Sequence, residues 1–474
     1  MTPHSHRLPM VSPFRLFALL CSALLLANIG GTAHAGPDCA TPAISLPAAG
    51  IASEPGPAVT PSDSASPAAA PTLAECLVSA LDTNPGVLSA EDETRASRQR
   101  LKRANSNLLP RLKAEETFTN SRHTSEIMGM KVGKEQLQLK GIKLSQPLYT
   151  GGALENGVNA ARAGVNIQKH AETRRREDMV RSVAEAWFGL LSARAMEEVA
   201  SQALFDTLGH ERHVQNMLEA GVAVRDDLLK VQVSVLERRE NLVKARNGID
   251  LAKARLEMLT GLPIDPAAIP VPVNPDTTPE LSEEHAVSLA TRSHPLLRAA
   301  REAVRIQDFS AKAAKGALLP NVALQWNWSS GNQFNTAQDN WDATVYVGLN
   351  VFDAGETRSK VREARAAKSK ATHDLEDLER NILLAIHQAF LRIEEAHARL
   401  ELSTQAEAQA AESLRLTEER FKAGAVTSQH LLDAESALVS ARQRRVTAGF
   451  DRALARIALW HAAGGLEHAL LPLK

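Results

Sequence analysis

Aromatic side chains and cysteine are scarce in this sequence. Phe, Trp and Tyr make up 4% of 474 residues, and Tyr occurs twice. Ala, Leu, Arg and Glu are abundant instead, a composition that suits long helices rather than a β-sandwich. Three cysteines exclude a disulfide-dense secreted scaffold. Net charge is missing as well: 54 Lys and Arg stand against 55 Asp and Glu. That balance excludes a strongly basic nucleic-acid binder and an acidic tail protein. Charged residues at 23% and a mean hydropathy of −0.20 exclude a multi-span helical membrane protein. Beyond the N-terminus no stretch reaches about 18 uncharged apolar residues, so any membrane insertion must use β-strands. GxSxG, P-loop, Rossmann-glycine, CxxC and HExxH patterns are absent, so neither an enzyme nor a cofactor is expected.

The N-terminus reads as an export signal. Arg7 and Arg15 give it a basic start, Leu16 to Ile29 is apolar, and Ala33-His34-Ala35 is an A-x-A site. Residues 1–35 are therefore expected to be a cleaved signal peptide. Cys21 lies inside the apolar run and Cys39 follows Asp38; neither has the small preceding residue of a lipidation signal, so an unlipidated protein is expected. Residues 36–71 are rich in Ala, Pro, Ser and Gly and read as a flexible leader. Cys39 and Cys76 remain after cleavage. A disulfide between them and a pair of separate thiols are both compatible with an oxidising compartment.

Beyond the leader the chain is written twice. Asn84-Pro85 recurs as His294-Pro295, and Leu108-Leu109-Pro110 as Leu318-Leu319-Pro320, both 210 residues on. Tyr149-Thr150-Gly151-Gly152 recurs as Phe352-Asp353-Ala354-Gly355, and Ala220-Gly221 as Ala423-Gly424, both 203 residues on. The chain divides into a first repeat over 72–279 and a second, with a C-terminal tail, over 280–474. Each predicts a short helix, a Pro break, a helix, two strands, a very long helix, a turn and a long helix. In copy one the helices fall near 72–83, 86–109, 153–220 and 225–260, with strands near 111–120 and 135–149. In copy two the helices fall near 282–293, 296–319, 355–422 and 428–463, with strands near 321–329 and 342–352. A helix over 153–220 would be about 100 Å long, and something must run beside it. Leu228, Val235, Leu242, Ile249 and Leu256 repeat every seven residues, as do Ala434, Ala441, Ala448, Ala455 and Ala462; both read as coiled-coil seams.

The strands alternate. Val345, Val347, Leu349 and Val351 interleave with polar or small residues, and so do Val322, Leu324, Trp326 and Trp328. Their length is that of a tilted transmembrane strand, about 9–11 residues. Phe118, Tyr149, Trp326, Trp328, Trp341 and Tyr346 cluster around them as a candidate aromatic girdle. Four strands cannot close a barrel, and open edges are not viable in lipid. Three chains give twelve strands, the smallest such count that leaves a lumen.

On these features the chain resembles the TolC-like outer membrane efflux protein family over nearly all of 72–465. The resemblance rests on the duplication, the Asn-Pro and Leu-Leu-Pro breaks, and the strand ends Gln146 to Gly152 and Asn350 to Gly355. It also rests on the turns Glu219 to Leu229 and Arg420 to Ala434, and on Leu259-Thr260-Gly261. It implies a mainly α fold: a duplicated long-helix α-barrel with four transmembrane strands per chain, completing a 12-stranded barrel as a homotrimer. It further implies outer membrane lipid around that barrel, a periplasmic adaptor (membrane fusion) protein, and an inner-membrane RND or ABC transporter as pump. The function would be a passive exit duct for efflux or type I secretion, with no cofactor. A soluble periplasmic coiled-coil adaptor or scaffold protein is the alternative; it leaves the twice-repeated strands unexplained.

By the same resemblance the turns at Gly221-Val222 and Gly424-Ala425 are periplasmic tips that touch the adaptor. Asp227, Lys230, His430 and Asp433 stand where the pore entrance would close. Read locally, the glycines are C-caps, Thr427 or Ser428 is an N-cap, and Asp226 and Asp227 suit a helix N-terminus. His210 and His213, at i and i+3 with Glu211 nearby, lack a third metal ligand and read as a solvated helix face. Met128-Gly129-Met130 falls in an interstrand loop.

Overall fold

The computed structural model describes residues 71–120, 125–127, 130–132, 136–271, 278–331 and 338–471. The expected signal peptide, Cys39, nearly all of the leader and the Met128-Gly129 pair lie outside these residues. Among the described residues, eight helices form two matching sets. α1 (Leu73–Thr83) and α5 (Glu283–Ser293) have 11 residues each, and α2 (Pro85–Ser106) and α6 (Pro295–Gly316) have 22. α3 (Ala153–Glu219) and α7 (Glu356–Lys422) have 67, and α4 (Arg225–Thr260) and α8 (Ser428–Ala463) have 36. A short α9 (Leu466–Leu470) comes after them.

The helix breaks have local causes. Pro85 and Pro295 occupy the first position of α2 and α6, where a missing N–H costs nothing. Asn84 Oδ1 accepts from Gly86 N at 2.9 Å, and His294 Nδ1 accepts from Leu296 N at 3.3 Å. Each kink then docks on the C-terminus of its own repeat's last long helix. Asn84 Nδ2 donates to the Leu259 carbonyl at 3.2 Å and Ser79 Oγ to that of Thr260 at 2.7 Å. In the second repeat Gly464 (φ 72°) comes so close to His294 that a Cβ there would lie 3.0 Å from its Cα.

α3 packs on α2 and α6 over one part of its length and on α4 and α8 over the rest; α7 packs on α6 and α8. The α4 seam is buried at Leu228, Val235, Leu242 and Leu256, with Ile249 half-buried. In α8, Ala441 and Ala448 are buried and Ala434, Ala455 and Ala462 half-buried. The main core joins Cys76, Leu77 and Ala80 of α1 to Val183, Phe188 and Leu190 of α3. Leu256, Ile264, Ile269, Ile457 and Leu466 complete it. Cys76 is a free, fully buried thiol whose pKa burial raises to about 11.

Four strands form one antiparallel sheet in the order β1-β4-β5-β6: β1 (Arg111–Asn120), β4 (Gln136–Thr150), β5 (Asn321–Gly331) and β6 (Gln338–Gly348). A separate pair, β2 (Ser125–Ile127) and β3 (Met130–Val132), falls where only a loop was expected. The fourth strand, expected over 342–352, lies four residues earlier. Its register with β5 ends at Asn321 opposite Gly348. Beyond it, Asp353 accepts from Gly355 N and Thr357 N at 3.0 and 2.9 Å, building the turn into α7. Val351 and Phe352 are thereby outside the sheet and 87% exposed.

His294 is 2% exposed. Burial, with Arg174 and His461 nearby, lowers its pKa to about 4. A histidine held neutral this way stabilises fully above its unfolded pKa, near 6.5, and that contribution is lost as pH falls toward 4. Glu177, raised to about 7 by burial, acts in the opposite direction over the same range. The difference between wild type and His294→Asn, which installs the cap found at Asn84, isolates the histidine. Thermal unfolding of the detergent-solubilised chain at pH 7.5 and 4.5 should show the variant losing less stability, by roughly 3 kcal/mol.

Candidate functional site: the sheet and the helix turns

The register sorts the sheet into two unlike faces. On one, Ala114, Ile142, Trp328 and Trp341 form a cross-strand row, and Leu112, Leu144, Trp326 and Ala343 the next. Leu324 with Val345 and Val322 with Val347 extend it toward the helices. From Val322 to Trp328 this apolar band is about 20 Å long at ~3.3 Å per residue. A polar row, Glu116, Lys140, Ser330 and Asp339, bounds its far end, where Lys140 meets Glu116 at 3.5 Å. The other face carries Lys113 on Glu115 at 2.7 Å, Lys143 on the same carboxylate, and Asn327 donating to Asp342 at 3.0 Å.

This sorting divides the six candidate girdle aromatics. Trp328 and Trp341 are direct neighbours at the rim of the apolar band, beside the polar row. Tyr149 pairs with Val322 at the helix end of the same face, past a bulge at Pro147. Trp326 lies mid-band, and Phe118, opposite Gln138, lies beyond the polar row. Tyr346 belongs to the polar face, because it alternates with Val345 and Val347; a side chain at Gly348 would strike its ring. Phe352, the repeat counterpart of Tyr149, is an exposed aromatic that sequence reasoning passed over; the matched motif itself was the available signal.

At the opposite end of the long helices the turns are C-capped by glycine. Gly221 and Gly424 take φ of 73° and 69°. Val222 N donates to Met217 O at 2.9 Å and Ala425 N to Arg420 O at 2.8 Å, closing each helix with a left-handed cap. Val214, Leu228, Val231, Phe421, Leu431 and Leu432 form a small core beneath them. The exposed Val222, Gly424 and Ala425 lie outside it.

Three of the four entrance candidates are held locally. Lys230 pairs with Asp226 at 2.6 Å, Gln429 donates to Asp433 at 2.9 Å, and His430 Nδ1 is 2.9 Å from Thr427 Oγ1. Thr427 is the N-cap residue of α8, yet it caps no backbone N–H. Lys230 and Asp433 line one groove between α4 and α8, with Leu229, Val233 and Leu432. Asp227 lines a separate cleft beside Val222, Phe421 and Gly424.

His210 does not lie on a solvated face. It is buried, its Nε2 is 2.9 Å from Ser428 Oγ, and its ring meets Phe421 edge-on at 5.3 Å. His213 approaches the same ring at 5.8 Å. Burial lowers the His210 pKa to about 4. Among the described residues no group of three His, Cys, Asp or Glu is placed to hold a metal ion. Glu435 is a buried carboxylate 3.3 Å from Thr207 Oγ1, raised to about 7 by burial. Its place in the apolar stripe with Leu431 and Leu438 was its sequence signal.

Duplicated long helices with a four-stranded sheet at one end and paired turns at the other define a TolC-like fold. The chain belongs to the outer membrane efflux protein family, whose model matches residues 76–262 and again 286–465. It is 25% identical over 344 residues to the outer membrane efflux protein BepC of Brucella suis, covering 70% of this chain and 74% of BepC. It is 24% identical over 407 residues to the alkaline protease secretion protein AprF of Pseudomonas aeruginosa, covering 83% and 84%. The open-state outer membrane channel MtrE of Neisseria gonorrhoeae shares the fold with a TM-score of 0.70 at 20% identity, over 85% of this chain and 91% of MtrE.

The His210–Ser428 bond ties the start of α8 to α3. Ser428→Ala leaves a buried histidine nitrogen without that partner, a loss of about 1–2 kcal/mol. Amide hydrogen exchange over 422–432 should then rise roughly tenfold, with α1 unchanged.

Proposed function

We propose that the chain closes as a homotrimer into an outer membrane channel with a long periplasmic portion, and serves as the passive exit duct of an efflux or type I secretion system. The observation that carries this reading is a set of open edges on matching flanks. Among the described residues β1 and β6 each pair on one side only, so each edge needs a partner strand in lipid. The helices show the same need. α4 uses one heptad face against α3 and leaves Leu229, Val233, Leu236, Val243, Leu251 and Met258 exposed. On the other flank α7 exposes Leu384, Leu391, Leu402 and Leu416. A head-to-tail ring brings β6 to β1 and α7 to the α2–α4 flank, and rotation closes it. Among the described residues no helix is long and apolar enough to cross a membrane.

In this reading the signal peptide 1–35 directs export. The apolar sheet face meets lipid, with Trp328 and Trp341 at one rim and Tyr149 toward the other, and the Lys113–Glu115–Lys143 face lines the lumen. The Gly221-Val222 and Gly424-Ala425 turns meet a periplasmic adaptor, through which an inner-membrane RND or ABC transporter delivers its cargo. Asp227, Lys230, His430 and Asp433 surround the entrance. The relatives named for efflux and for protease secretion support both kinds of system.

Light scattering on the detergent-solubilised outer-membrane fraction should give the mass of three chains. Leu251→Glu combined with Met258→Glu, at sites 74% and 72% exposed, should shift it toward one chain; an unchanged mass would overturn the ring. In planar bilayers the trimer should conduct. His430→Asn separates an entrance role from the Thr427 bond: identical conductance-versus-pH curves would remove His430 from the entrance.

A further inference from the structure

The polar face of the sheet continues past the strand ends onto the helices. Arg111, the first residue of β1, shares that face with Lys113, Lys143 and Ser145. Its guanidinium donates to Asn107 Oδ1, at the C-cap of α2. Asn107 in turn lines a groove of about 490 Å³ between α2 and α6, floored by Ala161, Gly164 and Gln168 of α3. Arg100 and Arg103 stand on the α2 wall of this groove, and Ile306 lies on the α6 side. Groove and polar sheet face are one continuous surface, joined by the Arg111–Asn107 bond.

That surface is rich in cations. Arg100, Arg103, Arg111, Lys113 and Lys143 stand against Glu93, Glu115 and Asp342. Each acid is engaged. Arg100 meets Glu93 at 2.8 Å, Lys113 and Lys143 share Glu115, and Asn327 donates to Asp342. Arg103 is exposed and makes no ion pair among the described residues. The second repeat carries none of the five cations. The matched positions are Ser310, Ala313, Asn321, Ala323 and Tyr346, while Glu93 and Glu115 become Ala303 and Gln325. The same junction of helix and strand is built twice, once charged and once neutral, so the fold does not require these charges.

We infer, resting on the ring proposed above in which this sheet face lines the lumen, that the surface is a cationic collar inside the duct and favours anionic cargo bearing carboxylate, sulfonate or phosphate groups. Five cations against three acids leave each chain with an excess of two positive charges there, and three chains present them as a ring. Rings of Arg and Lys are how pores select anions. The guanidinium fork of Arg103 suits paired oxygens of such groups, and Ala161, Gly164 and Ile306 offer an apolar body a place beside it. Asp227 and Asp433, at the far end of the long helices, act in the opposite sense, so the collar is read from the difference between variants as well as from wild type.

Reversal potentials across planar bilayers measure the preference. In a KCl gradient starting at about 0.01 M, where screening extends to about 30 Å, the wild-type trimer should pass chloride roughly threefold better than potassium. The preference should fade in molar salt. Arg103→Gln combined with Lys143→Gln removes the excess and should abolish the preference, with the three-chain mass unchanged. Arg98→Gln combined with Lys102→Gln makes the same charge change at exposed α2 positions outside the groove and should leave the preference intact. Benzenesulfonate in place of chloride should be preferred by wild type and not by the collar variant. Absence of conductance, or of a three-chain mass, overturns the ring and the collar together. A conducting trimer that prefers potassium, that ignores the collar substitutions, or that responds equally to the Arg98 and Lys102 pair overturns the collar alone.

Discussion

A helix of 67 residues has no compact core of its own, and this constraint governs the rest of the structure. Isolated helices are marginal in water, and most helical stability comes from packing an apolar face. α3 and α7 therefore need neighbours along their whole length. One helix of matching length is not supplied; two shorter ones are. α2 and α6 cover α3 toward the sheet, and α4 and α8 cover it toward the turns. The join between these shorter partners is where the Pro85 and Pro295 kinks dock on the ends of α4 and α8, and where the largest core gathers. The core at the join, the sheet at one end and the glycine turns at the other all result from splinting a long helix with two short ones.

The duplication solves the splinting problem only in part. α3 is flanked by helices of both repeats, whereas α7 has neighbours chiefly from its own, and α4 keeps an unused heptad face. A chain with one satisfied long helix and one half-satisfied one is a unit for a ring. The sheet repeats the same asymmetry, with β4 and β5 paired on both sides and β1 and β6 on one. Helix layer and sheet run out of partners on the same two flanks, so one rotation completes both.

Much of this was legible because it rests on period and punctuation. The sevens of Leu228 to Leu256, the Asn-Pro and His-Pro breaks and the glycine turns are local signals, and the helices lie where those signals place them, within a few residues. Features set by register were less legible. Clustering near the strands put Tyr346 among the girdle aromatics, but its alternation with Val345 and Val347, fixed by the pairing with β5, assigns it to the polar face. The end of β6 moved because Asp353 builds a turn whose acceptors are decided in three dimensions. His210 illustrates a third limit: at i and i+3 with His213 it reads as a surface pair, and only the approach of Ser428, far along the chain, shows that it is buried.

Internal repetition also acts as a built-in control. Where both copies solve a problem with different residues, the geometry is what matters: Asn84 and His294 both cap a Pro-initiated helix and both face a helix end. Where the chain leaves the last long helix differently, the cover differs too: Ile264 and Ile269 bury themselves beside the end of α4, whereas Leu466 turns onto the first repeat's core and the end of α8 is met instead by Thr278 and Pro279, whose carbonyls accept from Arg456 and Trp460.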